Sequence, residues 1–182
     1  MRDRNSRLRA LVAPALVAVL ASCGTDMNSP IDHAAMHASA ASSAAHAAAN
    51  AGAAGLLKTV KSQTARFHST VQATKGGYAV ASPCIELPGV GGMGFHWVNN
   101  ALVDPVFDPK NPEAVLYDTQ GKLVAVEYIV IDIGQPRPAF DGYPFDIGGT
   151  PVPVPHWSLH TWVHFDNPAG VHAPWNPNIS CS

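Results

Sequence analysis

The chain has 182 residues, with 11 Lys and Arg against 13 Asp and Glu and a formal charge of −2. Four of those basic residues and one acidic residue fall in the first 22 positions, so the remainder carries 7 basic and 12 acidic side chains, a formal charge of −5. That balance excludes a nucleic-acid footprint, which needs a clustered basic patch, and it offers no electrostatic attraction to anionic lipid.

The first predicted element is a leader. Arg2, Arg4, Arg7 and Arg9 make a basic start. Leu11 to Ala21 is an apolar run, interrupted by Pro14, that is too short to span a bilayer, which takes about 20 apolar residues. It reads as the hydrophobic part of a signal peptide. The run ends in Leu20-Ala21-Ser22-Cys23, which resembles the lipobox of bacterial lipoproteins: a Leu, two small residues, then the Cys that receives a diacylglycerol before cleavage. The resemblance implies a signal peptide over 1–22, lipid on Cys23, and a membrane-anchored protein of the cell envelope. Gly24, where inner-membrane retention usually shows Asp, implies the outer membrane if the source is Gram-negative. An ordinary cleaved signal peptide with small residues near the cut is the competing reading.

Residues 23–55 are Ala-, Ser- and His-rich with few large apolar side chains. Such a stretch buries too little to offset its ordering entropy, so a flexible tether is expected, partly helical because Ala favours helix. His33, Met36, His37 and His46 are incidental to that tether or could catch a soft metal. Residues 56–182 form the single predicted globular domain. Its first element is a helix over Leu56 to Thr74, with Leu56, Leu57, Val60, Thr64, Phe67 and Val71 on one face and Gly76-Gly77 as the stop. From Tyr78 onward Pro, Gly, Asn and Asp punctuate short β-rich runs: Tyr78 to Ala81, Phe95 to Val98, Glu113 to Tyr117, Leu123 to Ile133, and His156 to Phe165. Gly134 to Pro155 holds six prolines and is expected as a long loop whose Phe140, Tyr143 and Phe145 pack over something. The fold class expected is α+β: an N-terminal helix on a small, mainly antiparallel sheet with long Pro/Gly-rich loops.

Beyond Cys23 the sequence has Cys84 and Cys181. Paired cysteines in an exported chain usually form a disulfide; two free buried thiols are the alternative. A disulfide here would pin the turn-rich tail, Asp166 to Ser182, over the body.

Alternation along a strand sends successive side chains to opposite faces. In Leu123 to Ile133 one face reads Leu123, Ala125, Glu127, Ile129, Ile131 and Ile133, with Glu127 its one polar member. Val124, Val126, Tyr128 and Val130 make the other face apolar too. A buried carboxylate must be paired, hydrogen-bonded, metal-bound or protonated. An ion pair with Arg66 or Arg137, or an edge position, competes with a functional role. In the last strand His156, Ser158, His160, Trp162 and His164 share a face opposite Trp157, Leu159, Thr161, Val163 and Phe165. Residues four apart on a strand are about 13 Å apart, so these histidines cannot complete a metal site alone. Partners from neighbouring strands are needed, with His96 and Glu127 the candidates beside His156 and His160. The set would suit zinc or another divalent metal. A wet, ion-free His- and Trp-bearing face, or a hydrogen-bonded His–Glu cluster, is the alternative. Gly91-Gly92-Met93-Gly94 lacks the ending and the helix of a phosphate loop.

Met93-Gly94-Phe95-His96-Trp97-Val98-Asn99, Pro112-Glu113-Ala114, Val124-Ala125-Val126-Glu127-Tyr128, Pro155-His156 with Leu159-His160, and Trp175-Asn176-Pro177 through Cys181 resemble an uncharacterised family of exported bacterial proteins. The resemblance covers Leu56 to Ser182, transfers no activity, and does not include His164. Three functions are open: an envelope protein binding a metal or small ligand through His96, Glu127, His156 and His160; a metal-dependent hydrolase at that site with Glu127 as general base; or a non-catalytic module presenting Trp97, Trp157, Trp162 and Trp175 to glycan or protein. The ligand, substrate or protein partner is not identified by the sequence. His96, Glu127 and His160 are expected to converge beneath the Gly134–Pro155 loop.

Overall fold

The computed structural model describes the backbone of residues 33–182 and the side chains of residue 45 and of 47–182. The expected signal peptide and the lipidation site Cys23 lie outside the described residues, as do the side chains of His33, Met36, His37 and His46. Helix α1 runs His33–Thr64, so the Ala-rich stretch is helical from His33 on, in keeping with the high helix propensity of Ala.

The helical spacing predicted through Thr74 breaks after Thr64. A 3-10 turn, Ala65–His68, leads through an extended Ser69 into α2, Thr70–Lys75. Within the break the Tyr117 hydroxyl donates to the Phe67 carbonyl at 2.5 Å, the acceptor that residue 71 would use in a continuing helix. The phase changes accordingly. Val60, Thr64 and Phe67 are buried as expected, but Val71 is 60% exposed and Ala73 takes the inward position. The stop falls where predicted. The Gly77 N–H bonds the Thr74 carbonyl and the Tyr78 N–H bonds that of Ala73, a Schellman closure that places Gly77 at φ +90°.

The strands are β1 Ala79–Leu87, β2 Gly91–Val98, β3 Ala114–Tyr117, β4 Leu123–Ile131, β5 Ala139–Phe140, β6 Tyr143–Pro144, β7 Asp146–Ile147 and β8 His156–Thr161. Six form a curled antiparallel sheet in the order β1-β2-β3-β4-β8-β7, and β5 and β6 pair separately. The fold is α+β. One face carries Phe67, Tyr117, Tyr128, Leu159 and the aromatics Phe140 and Phe145 of the 134–155 segment, with the end of α1 packed on it. The other carries Val98, Ala114, Leu116, Ala125, Ile129, Trp162 and, from the tail, Ile179. Both faces of β4 are buried, as its sequence indicates.

Two details depart from simple alternation. Leu116 pairs with Ala125 but Tyr117 with Leu123, a bulge that leaves Val124 extra. Leu123 therefore joins the helix-side core and Val124 the opposite one, the reverse of the predicted assignment. The last strand also stops early, at Thr161, and His164 leaves the face predicted for it: its Nε2 meets Thr64 Oγ1 of α1 at 2.8 Å.

Cys84 and Cys181 are joined, with Cα atoms 5.7 Å apart, as expected. The tail they hold is anchored along its length. Gly92 and Asn176 exchange two backbone hydrogen bonds of 3.0 Å, Ile179 is buried, and the Glu86 carboxylate accepts the Cys181 N–H at 2.6 Å.

Candidate metal centre

Glu127 lies mid-strand on β4, directly opposite His160 of β8 on one side and Ala114 of β3 on the other. His96 lies on β2, two strands away, opposite Leu116. Strands two apart are separated by about 9.6 Å, so His96 and Glu127 can meet only over β3. Ala114 and Ala125, both wholly buried and on this face, are small enough to leave that room. The curl of the sheet brings the outer strands inward above them.

Three donor groups converge. His96 Nε2 is 3.6 Å from Glu127 Oε2 and 3.4 Å from His160 Nε2, and His160 Nε2 is 3.9 Å from Glu127 Oε1. All three residues are buried, and one ligand atom from each lies within 4.8 Å of the others. A buried His96/Glu127/His160 cluster able to hold a metal ion is therefore present. Glu127 does not pair with Arg66 or Arg137, the partners considered from sequence: the Arg66 guanidinium lies over the Phe67 ring, and Arg137 is 3.6 Å from Asp146.

Ser82, which the sequence reading missed, sets the orientation of His96. Its hydroxyl donates to the Pro83 carbonyl at 2.7 Å, an acceptor that has no proton to return. The same oxygen lies 3.1 Å from His96 Nδ1 and accepts the His96 backbone N–H at 3.1 Å. With its one proton committed, Ser82 Oγ can only accept from Nδ1, so Nδ1 carries the ring proton and Nε2 presents a lone pair to the cluster. No sequence pattern marks this contact, because β1 meets β2 there through an irregular register.

The electrostatics follow from burial. Desolvation lowers the pKa of His96 to about 4. Desolvation, with His96 adding, lowers that of His160 to about 3. Desolvation raises that of Glu127 to about 8, against a smaller opposing effect of the Ser158 hydroxyl. Both imidazoles are thus neutral near pH 7, and Glu127 Oε2 is buried with no hydrogen-bond partner. Burial thus keeps all three groups in their neutral forms near pH 7, and a cation held between them would favour the ionised carboxylate instead.

The cluster floors a cavity of about 230 Å³, lined further by Ile85, Met93, Ser158, Asp146, Ile147, Gly149, Thr150, Pro174 and Trp175. Asp146 to Thr150 come from the Gly134–Pro155 segment, so the convergence beneath it expected from sequence is what the structure shows. His156 stays apart: its Nδ1 lies 2.7 Å from the Val154 carbonyl, and its ring packs where a side chain at Gly148 would be. His164 sits with Thr64 and His68 on the helix side. Nor do the four tryptophans make a platform. Trp97 and Trp157 pack on the helix-side core, Trp162 is buried on the other side, and Trp175 lines the cavity. No known protein family, curated protein or solved structure matches this chain, so the functional reading rests on the site itself.

Proposed function

We propose that this chain is a lipid-anchored protein of the cell envelope whose folded domain binds a divalent metal ion, zinc by donor type, through His96, Glu127 and His160. One observation carries the metal reading. Two ligands at about 2.05 Å from zinc and at the tetrahedral angle stand about 3.3 Å apart. His96 Nε2 stands 3.4 Å from His160 Nε2 and 3.6 Å from Glu127 Oε2, and one ligand atom from each of the three residues lies within 4.8 Å of the others, so side-chain adjustments of about 1 Å seat an ion. The unpartnered Glu127 Oε2 argues against a self-sufficient His–Glu hydrogen-bonded cluster, since such clusters normally satisfy every buried acceptor. The anchoring part of the proposal rests on the lipobox at Cys23. Among the described residues no helix is long and apolar enough to cross a membrane, and the disulfide is compatible with an exported chain.

Three protein ligands with a fourth position facing a cavity is the pattern of a reactive metal site; structural zinc sites are closed by four. That favours the metal-dependent hydrolase as a second reading, with a changed role for Glu127. With a metal bound, one of its oxygens would be a ligand and the other would be free to accept a proton from water in the cavity.

The test is elemental analysis of the full-length chain purified without an affinity tag, then calorimetric titration with zinc after chelation. Stoichiometric binding is expected, weakened by Glu127→Gln and by His160→Ala and unchanged by His156→Ala. No heat and no thermal shift would remove the metal reading. For the anchor, a fatty-acid analogue should label wild type and spare Cys23→Ser; equal labelling of both would remove it.

A further inference from the structure

We infer that the fourth ligand comes from outside the protein and is a small monocarboxylate with an apolar body. The inference rests on the metal reading above and extends it to the chemistry of the cavity. Among the described residues the group close enough to share an ion has three members. Two neutral imidazoles and one carboxylate leave a divalent ion with a net charge of +1 in a buried site, and a buried net charge draws a counter-ion. One negative charge completes the neutralisation.

The cavity describes the rest of the ligand. Next to the cluster stands Ser158, whose side chain is buried and lines the cavity. Its hydroxyl is hydrogen-bonded to Glu127 and so steadies that ligand, leaving the incoming carboxylate to the ion. Further out the walls are apolar: Ile85, Met93, Ile147 and Trp175. Ile147 is 82% exposed, an aliphatic side chain at the mouth with no protein cover. Among the described residues no Lys or Arg lines the cavity, which disfavours a phosphate or other dianion that would leave the centre negative. Asp146 lines it too, but its carboxylate is 3.6 Å from the Arg137 guanidinium, which offsets its repulsion of an incoming anion. A volume of about 230 Å³ corresponds to about seven waters of the liquid. A carboxylate with a short chain or one ring fits.

The full-length chain loaded with cobalt(II) provides the test, because the visible bands of the ion report both its seating and its fourth ligand. Acetate, butyrate and hexanoate should each shift the bands saturably. The dissociation constant should fall about fourfold per added methylene, the factor for burying one CH₂, until the cavity is full. Phosphate should bind more weakly than butyrate, and Ile147→Asp should flatten the chain-length trend. Cobalt bands that no carboxylate alters, or that respond equally to every chain length and to phosphate, would overturn the inference while leaving the metal site standing. No cobalt bands in wild type would overturn both.

Discussion

At the scale of single residues, the centre depends on side chains that hold ligands as much as on the ligands. Ser82 fixes the tautomer of His96 by having its own proton committed to Pro83. Ser82→Ala is therefore expected to weaken zinc binding about tenfold, the usual effect of removing such a partner, and Ser82→Thr to restore it. Competition with a chromogenic chelator measures both, and an unchanged affinity in Ser82→Ala would remove the tautomer argument. A second buried carboxylate, Glu113, lies outside the cluster. It accepts the Ile129 N–H at 2.9 Å, and burial raises its pKa from 4.5 to about 8. Between those values the folded protein holds a proton that the unfolded chain has released. Stability from this group is full below about 4.5 and is lost as pH rises towards 8. The buried histidines, whose pKa values are lowered from 6.5, act in the opposite direction but only below 6.5. In chelator, the urea midpoint of wild type should thus fall between pH 6.5 and 8. The slope should be shallower in Glu113→Gln, with Glu127 supplying what remains. An identical slope in the variant would assign the raised pKa elsewhere.

At the scale of elements, β2 is built to approach its neighbours closely. Gly94 holds φ +87°, and a Cβ there would collide with the Tyr117 carbonyl oxygen of β3. Gly94→Ala should cost more than about 1 kcal/mol from the left-handed backbone alone. It should also weaken zinc binding, since His96 is two residues along the same strand. Denaturant unfolding and the chelator competition read the two effects separately, and an unperturbed Gly94→Ala would show that the strand tolerates a wider spacing. The strand predicted from the sequence starts at Phe95, after the glycine run Gly91 to Gly94. In the fold it begins with that run, at Gly91, because glycine alone lets the Asn176–Ile179 tail lie against this edge. The helix shows the converse. Its periodicity predicts one element through Thr74, yet the helix breaks between Thr64 and Thr70, where Tyr117, 50 residues from Phe67 in sequence, bonds the Phe67 carbonyl, a contact that no local pattern reports.

At the scale of the whole molecule, the disulfide and the tail close the cavity wall. Cys84 and Cys181 are 97 residues apart, and a loop near that length is worth about 4–5 kcal/mol in the chain-entropy model. Reduction should therefore lower the urea midpoint substantially. It should also expose the tail, whose Pro174 and Trp175 line the cavity, so that Trp175 fluorescence shifts red before global unfolding. A reduced protein as stable as the oxidised one would mean that the Gly92–Asn176 bridge and Ile179 suffice to hold the tail.

The sequence by itself determined the class of the fold, the two-sided burial of β4, the inward setting of Glu127 and the partnership of Cys84 with Cys181. Each follows from a local or compositional rule: alternation, propensity, or the pairing of cysteines in an oxidising compartment. Only the tertiary structure decided which histidines join Glu127. His160 is its direct cross-strand neighbour, and His96 reaches it from 31 positions back over Ala114. His156, four residues before His160 on β8, is held by the Val154 carbonyl, and His164 turns to α1 once β8 ends at Thr161. Strand order, the bulge at Val124 and the early end of β8 are set by contacts between residues far apart in the chain. A period of two places a side chain on a face, and strand order and register decide what it meets there.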